Sequence, residues 1–216
     1  MYNPNERTLM KTIKKYIAGA MLVGLLAGMA TPAKAQISLN TYFNADWQFN
    51  FPVSNSFSDV ASGWGMNFEG GYYVTPNLAV GAFINYHTNN EYFSRRTLKL
   101  DYNSFLNTDQ QHQMFQMPFG LLAHYRFVEA NFQPYVGLKL GADYTQFTSD
   151  FYIFGNDENT WGFYVSPEVG FNYYPWPNGL GFHLALYYNF ATNSCSLMSY
   201  DVSNLNNLGF RVGLAF

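Results

Sequence analysis

The chain has 216 residues, of which 48% are hydrophobic and 20% aromatic but only 12% charged. A soluble domain is about a quarter charged, and a bundle of transmembrane helices needs several runs of roughly 20 apolar residues, which a mean hydropathy of −0.16 does not accommodate. Aromatic residues at this density also exclude a disordered chain, so the apolar matter is dispersed along an ordered one.

Residues 1–35 read as a cleaved export signal. Lys11, Lys14 and Lys15 form a basic start, Ile17 to Met29 an apolar stretch, and Ala33-Lys34-Ala35 a small-x-small cleavage box that leaves Gln36 as the new N-terminus. Residues before Met10 fit a signal poorly, so Met1 and Met10 are both candidate starts. Cleavage takes away five of the eleven basic and one of the fourteen acidic side chains, leaving six against thirteen. Nucleic-acid binding needs a basic footprint, and this balance excludes it. A polybasic run that would attract anionic lipid is missing too. The single cysteine, Cys195, cannot close an internal disulfide.

Two-residue alternation dominates the mature chain, 36–216, and predicts strands. The first, within 39–51, sets Phe43, Ala45, Trp47, Phe49 and Phe51 against Tyr42, Asn44, Asp46, Gln48 and Asn50. Trp64, Met66, Phe68, Tyr72 and Val74 then oppose Gly65, Asn67, Glu69, Gly71 and Tyr73. After the turn signal Thr75-Pro76-Asn77, Leu78, Val80, Ala82, Ile84 and Tyr86 face away from Ala79, Gly81, Phe83, Asn85 and His87. Residues 112–126 alternate less cleanly, because Leu122 breaks the polar face. Four further strands follow over Tyr135–Tyr144, Trp161–Tyr173, Leu180–Phe190 and Leu208–Phe216.

Eight strands result, each long enough for the roughly 9–11 residues that a tilted strand uses to cross a bilayer. Short connections at 75–77, 127–131 and 175–179 alternate with longer ones near 52–62, 88–110, 147–160 and 191–206. Short turns at one end and long loops at the other are the pattern of an outer-membrane barrel, and the parity puts both termini on the periplasmic side. Asp46, Glu69, Lys139, Asp143, Glu168 and Arg211 all fall on the small-polar face of their strands, and the opposite face carries no charge. A Lys or Arg facing lipid at mid-membrane costs about 2–4 kcal/mol, so the apolar face is assigned to lipid and the charged face to the lumen. Tyr86, Tyr125, Tyr144, Trp161, Tyr173 and Tyr188 cluster near strand ends, where amphipathic rings form interfacial girdles.

The carboxyl end, with Phe210, Val212, Leu214 and terminal Phe216 on one face, resembles the signal that the barrel assembly machinery recognises. Met117-Pro118-Phe119-Gly120-Leu121-Leu122, Pro134-Tyr135-Val136-Gly137 and Asn207-Leu208-Gly209-Phe210-Arg211-Val212 look like recurrent strand phrases of the same group. On these residues the mature chain resembles the small eight-stranded outer-membrane β-barrel families of the A, W and X types. The resemblance implies an all-β, eight-stranded antiparallel up-and-down transmembrane barrel in a Gram-negative-type outer membrane, in contact with lipid and lipopolysaccharide. It is nearly silent about activity. The expected role is structural, or the presentation of loops to an outside ligand; the W-type resemblance implies an alternative, a conduit for small hydrophobic molecules.

The chemistry that remains is sparse. His87, His112, His124 and His183 face the lumen by parity but at different heights and without His-x-His or His-x₃-His spacing, so they read as polar filler and no metal site is expected. Two lipid A-modifying enzymes share this architecture, but the His-x-Ser pair of the deacylase is missing after every histidine. The palmitoyltransferase type relies on a less regular set of loop and rim residues, so a lipid A-modifying enzyme stays the third reading, with no catalytic residue and no cofactor expected. Asp157-Glu158 lacks the regular ligand spacing of a calcium loop; Arg95, Arg96 and Lys99 make one connection cationic, and its short alternation Leu98-Lys99-Leu100-Asp101-Tyr102 suggests a hairpin that extends above the membrane. With strands five and six joined near residue 153, Lys139 and Glu168 fall level at mid-barrel, and Glu69 and Arg211 at similar depth. Eight strands enclose just enough room for side chains, so these four are expected to pair and plug the lumen.

Overall fold

The structure, a computed structural model, describes residues 40–53, 57–101, 104–151, 154–176, 179–197 and 200–216. The export segment 1–35 lies outside them. Eight strands run in chain order: β1 (Thr41–Pro52), β2 (Gly65–Tyr73), β3 (Leu78–Asp101), β4 (Ser104–Arg126), β5 (Phe132–Phe151), β6 (Phe154–Tyr173), β7 (Gly181–Leu197) and β8 (Tyr200–Ala215). Each pairs antiparallel with its neighbours, and β1 closes on β8 from Asn44↔Ala215 to Pro52↔Asn207. Closure leaves no unpaired sheet edge within the bilayer, where backbone polar groups find no water.

The two faces of the sheet are inverted relative to a soluble protein. On β1, Asn44, Asp46, Gln48 and Asn50 are at most 1% exposed, whereas Phe43, Trp47 and Phe51 are 41–49% exposed. The same inversion holds on β5, with buried Lys139 and Asp143 behind exposed Val136, Leu138 and Leu140. Tyr125, Trp161, Tyr173 and Tyr188 stand outward and exposed at the margins of this apolar band.

Three of the four connections expected as long loops are strand over most of their described residues instead. β3 and β4 pair beyond Tyr86 as far as Asp101↔Ser104, β5 and β6 pair up to Phe151↔Phe154, and β7 and β8 meet at Leu197↔Tyr200. Hydrophobic alternation ends at the membrane margin because both faces of a protruding hairpin are wet, but the hydrogen-bonded ladder needs no apolar face and continues. Only the first connection, between Pro52 and Gly65, is irregular among the described residues.

Proline shapes the ladders locally. Pro118 on β4 and Pro167 on β6 have no N–H to donate, and the pairing lapses beside them and resumes in the same register, between Ile84↔Phe119 and His87↔Gln116 and between Val165↔Phe190 and Glu168↔Tyr187. Beyond Tyr164↔Ala191, β6 and β7 no longer pair. The β7–β8 register shifts between Ala191 and Ser194, opposite Asn204, whose φ of 63° lies in the left-handed region that asparagine tolerates. These irregularities open a seam between the β5–β6 and β7–β8 hairpins.

Candidate functional site

The candidate site is the lumen, which is filled in three strata. At mid-depth a chain of ion pairs runs from wall to wall. Lys139 Nζ on β5 lies 2.5 Å from Glu69 Oε2 on β2 and 2.8 Å from Glu168 Oε2 on β6. Glu168 also takes Arg211 Nη1 from β8, and Arg211 Nε donates to Gln48 Oε1 on β1 at 2.9 Å. The Arg211 guanidinium lies over the Tyr187 ring, 4.0 Å from its centroid. Asn67 ties the cluster to Asp46, its Nδ2 donating to Asp46 Oδ2 (2.8 Å) and Glu69 Oε2 (3.2 Å), while its Oδ1 accepts from Lys139. Every one of these charges is at most 7% exposed.

Of the six charges predicted to meet in the lumen, the structure joins Glu69, Lys139, Glu168 and Arg211 directly. Glu69 and Arg211 do not touch; Lys139 and Glu168 stand between them. Asp46 takes an imidazole, His183 Nδ1 donating to its Oδ1 at 2.6 Å. Among the described residues Asp143 has neutral donors, Gln116 Nε2 at 2.8 Å, Thr145 Oγ1 at 3.1 Å and the Met117 backbone N–H.

Toward the short-turn end the lumen is aromatic. His124 stacks on Tyr135 (3.9 Å between centroids, 21°) and tilts against Tyr42 at 4.6 Å. The Tyr135 hydroxyl shares a 2.6 Å hydrogen bond with His183 Nε2 and donates to Glu168 Oε1 at 3.2 Å. Arg126 closes this end: it lies 4.0 Å over the Tyr73 ring, donates through Nε to the Pro76 carbonyl and pairs with Glu129 at 3.1 Å. Of the histidines read as filler, His87, His112 and His183 are hydrogen-bonded parts of the packing, and His124 is held by its ring contacts. Sequence spacing gave no sign of His183 with Asp46, because their strands meet only through the closed wall.

The opposite end is closed by the first connection, which sequence patterning left unassigned. Phe57 is fully buried there, stacked on His112 (4.4 Å, 15°) and edge-on to Phe147 at 5.3 Å. The segment is tied down by backbone bonds between Asn50 and Ser62, by Asn89 Nδ2 to the Val60 carbonyl (3.0 Å) and by the Asp59 N–H to Glu91 Oε2 (2.7 Å). His112 Nδ1 donates to the Phe57 carbonyl at 2.8 Å.

His112 lies five residues past Met117, the partner of the girdle residue Tyr144, and so stands beyond the apolar band. Burial against Phe57 and Phe93, with a smaller push from Arg96, holds its imidazole below the ordinary histidine range despite the bond to the Phe57 carbonyl. A depressed histidine favours the docked connection above its free pKa of about 6.5 and works against it as pH falls below that value. Hydrogen exchange of residues 57–62, corrected for its intrinsic pH dependence, should therefore accelerate between pH 7 and 5, by up to about tenfold per pH unit. A His112→Phe variant should lose this acceleration; if it kept it, His112 would not be the titrating group.

A family model described as "Outer membrane protein beta-barrel domain" matches residues 21–216. Among solved structures the chain is similar to Neisserial surface protein A, at 16% identity and a TM-score of 0.50, over 81% of this chain and 95% of that one. It is also similar to the outer membrane protein OprG from Pseudomonas aeruginosa (16% identity, TM-score 0.47, 82% of this chain and 94% of that one). A third likeness is to Ail, the attachment invasion locus protein of Yersinia pestis (13% identity, TM-score 0.42, 82% and 98%). Identities this low speak for the fold alone. No curated protein matches the chain.

Proposed function

Because the chain belongs to the outer membrane protein beta-barrel domain family, and so to the bacterial outer membrane, we propose that it is a closed barrel that stabilises the envelope and presents its long hairpins to an outside ligand. The observation that carries this reading is the ion-pair chain from Glu69 through Lys139 and Glu168 to Arg211, which crosses the lumen at mid-depth. Aromatic packing below it and Phe57 above it add two further closures. On this reading both termini and the short turns are periplasmic, and the hairpins stand among the lipopolysaccharide. The barrel assembly machinery is the partner during insertion, and no catalytic residue is assigned.

The alternative, passage of small hydrophobic molecules, draws on the apolar cluster of Phe57, Met114, Phe147, Val202 and Leu205. That cluster is occupied by the chain's own Phe57, and its floor is the polar stratum, so it supports a conduit less well than a plug.

Planar-bilayer recording of the purified barrel separates the readings. Absence of stable channels is expected, with conductance appearing after Lys139→Ala or Arg211→Ala opens the middle stratum. Porin-like conductance in the unmodified protein would overturn the plug.

A further inference from the structure

The seam between β6 and β7 gathers polar groups that the ion-pair chain leaves out. Among the described residues, the other three fully buried lumen carboxylates have charged or imidazole partners: Asp46 has His183, while Glu69 and Glu168 share Lys139 and Arg211. Asp143, 0% exposed, does not. Its Oδ2 accepts from Gln116 and Thr145, and its Oδ1 has no hydrogen-bond partner.

A second buried oxygen lies beside it. Asn193 of β7 continues the inward face of Tyr187, Asn189 and Ala191 and is 0% exposed. It rests over Gly162, the cross-strand partner of Asp143, and a Cβ at that glycine would collide with the Asn193 amide. Asn193 Nδ2 donates to the backbone carbonyl of Asp143 (3.1 Å) and toward the carbonyl and hydroxyl of Thr160 (3.3 Å each). Three oxygens around the nitrogen identify which end of the amide is which. Asn193 Oδ1 is therefore an acceptor, and it too is buried without a partner.

A cavity of about 380 Å³ is lined by Glu158, Ser194, Cys195, Ser196, Val202 and Ser203. Glu158 adds a carboxylate to it, held by Cys195 Sγ at 3.1 Å, and the serines add hydroxyls.

We propose that the β6–β7 seam binds one calcium-type divalent cation, with Asp143 Oδ1 and Asn193 Oδ1 as its protein ligands. All the donors are hard oxygens, which select Ca²⁺ or Mg²⁺ over transition metals. The irregular seam suits the flexible coordination of Ca²⁺ better than the rigid octahedron of Mg²⁺. A bound cation also neutralises the one lumen carboxylate left without a charged or imidazole partner. Its competitor is a proton on Asp143.

The test uses the refolded full barrel in lipopolysaccharide-free detergent at pH 7.5, stripped with chelator and titrated with CaCl₂ alone. One site per barrel is expected, with a Kd of about 0.1–1 mM, and 10 mM calcium should raise the melting temperature by about 5 °C. Asp143→Asn should abolish both effects, while Asp157→Asn, at an exposed acid farther out on the same hairpin, should leave them unchanged. Asn193→Ala, and Gly162→Ala through its new Cβ, should each weaken binding about tenfold, which keeps the proposal testable if Asp143→Asn fails to refold. No response at 10 mM calcium would overturn the site. So would a response that survives Asp143→Asn.

Discussion

Replacing Lys139 by methionine should destabilise the refolded barrel by about 3–5 kcal/mol, the usual cost of removing one partner from a buried charge pair. Methionine keeps the volume of the lysine stem, so the loss reports charge and not a cavity. Among the described residues Lys139 is the sole direct cationic contact of Glu69 and one of two for Glu168, so its removal strands Glu69 in a site that is 2% exposed. A double variant, Lys139→Met with Glu69→Gln, should recover most of the loss, because a neutral pair of similar shape can replace a buried ion pair at little cost. The urea midpoint of the detergent-refolded protein is the measurement. A single variant within about 1 kcal/mol of the parent, on the scale of an ordinary hydrogen bond, would mean that water and not lysine balances these carboxylates.

Deleting Phe216 should act on assembly far more than on stability. The Phe216 backbone exchanges two hydrogen bonds with Phe43, at 2.8 and 3.2 Å, and its ring meets that of Phe43 at 6.1 Å, half-exposed to lipid. Two hydrogen bonds and one partly covered ring amount to about 2–3 kcal/mol, less than the lysine substitution removes. In cells, however, the outer-membrane level of the truncated protein should fall by about tenfold, since barrels that are not assembled are cleared by proteases. The contrast is diagnostic. Phe210, Val212, Leu214 and Phe216 share the outward face of β8, where Phe210 stacks on Phe49 at 5.4 Å and 10°. An outer-membrane level equal to the parent's would remove the reason for assigning this face to recognition by the assembly machinery. A loss in cells matched by an equally large loss of stability in detergent would reduce the effect to folding.

What the sequence alone determined is the facing of each residue. Side chains on a strand alternate without exception, so once Phe43, Trp47 and Phe51 are assigned to lipid, Asn44, Asp46 and Gln48 must point inward. The same logic places all six lumen charges and all four histidines inside. Strand continuation past Tyr86 showed only in the short alternation from Leu98 to Tyr102, and past Tyr144 it was not legible, because a hairpin with two wet faces carries little hydrophobic period while its ladder persists. Nor was the docking of Phe57, since a lone aromatic in an irregular connection has no pattern to reveal it. Partner choice across the lumen depended on tertiary structure altogether. Lys139 meets Glu69 from a strand three positions away in the ring, His183 finds Asp46 through the β8–β1 closure, and Asp143 is left with neutral donors. Alternation says which face a side chain occupies. Its depth relative to a non-neighbouring strand depends on the stagger accumulated around the whole ring, and that quantity exists only when the barrel closes.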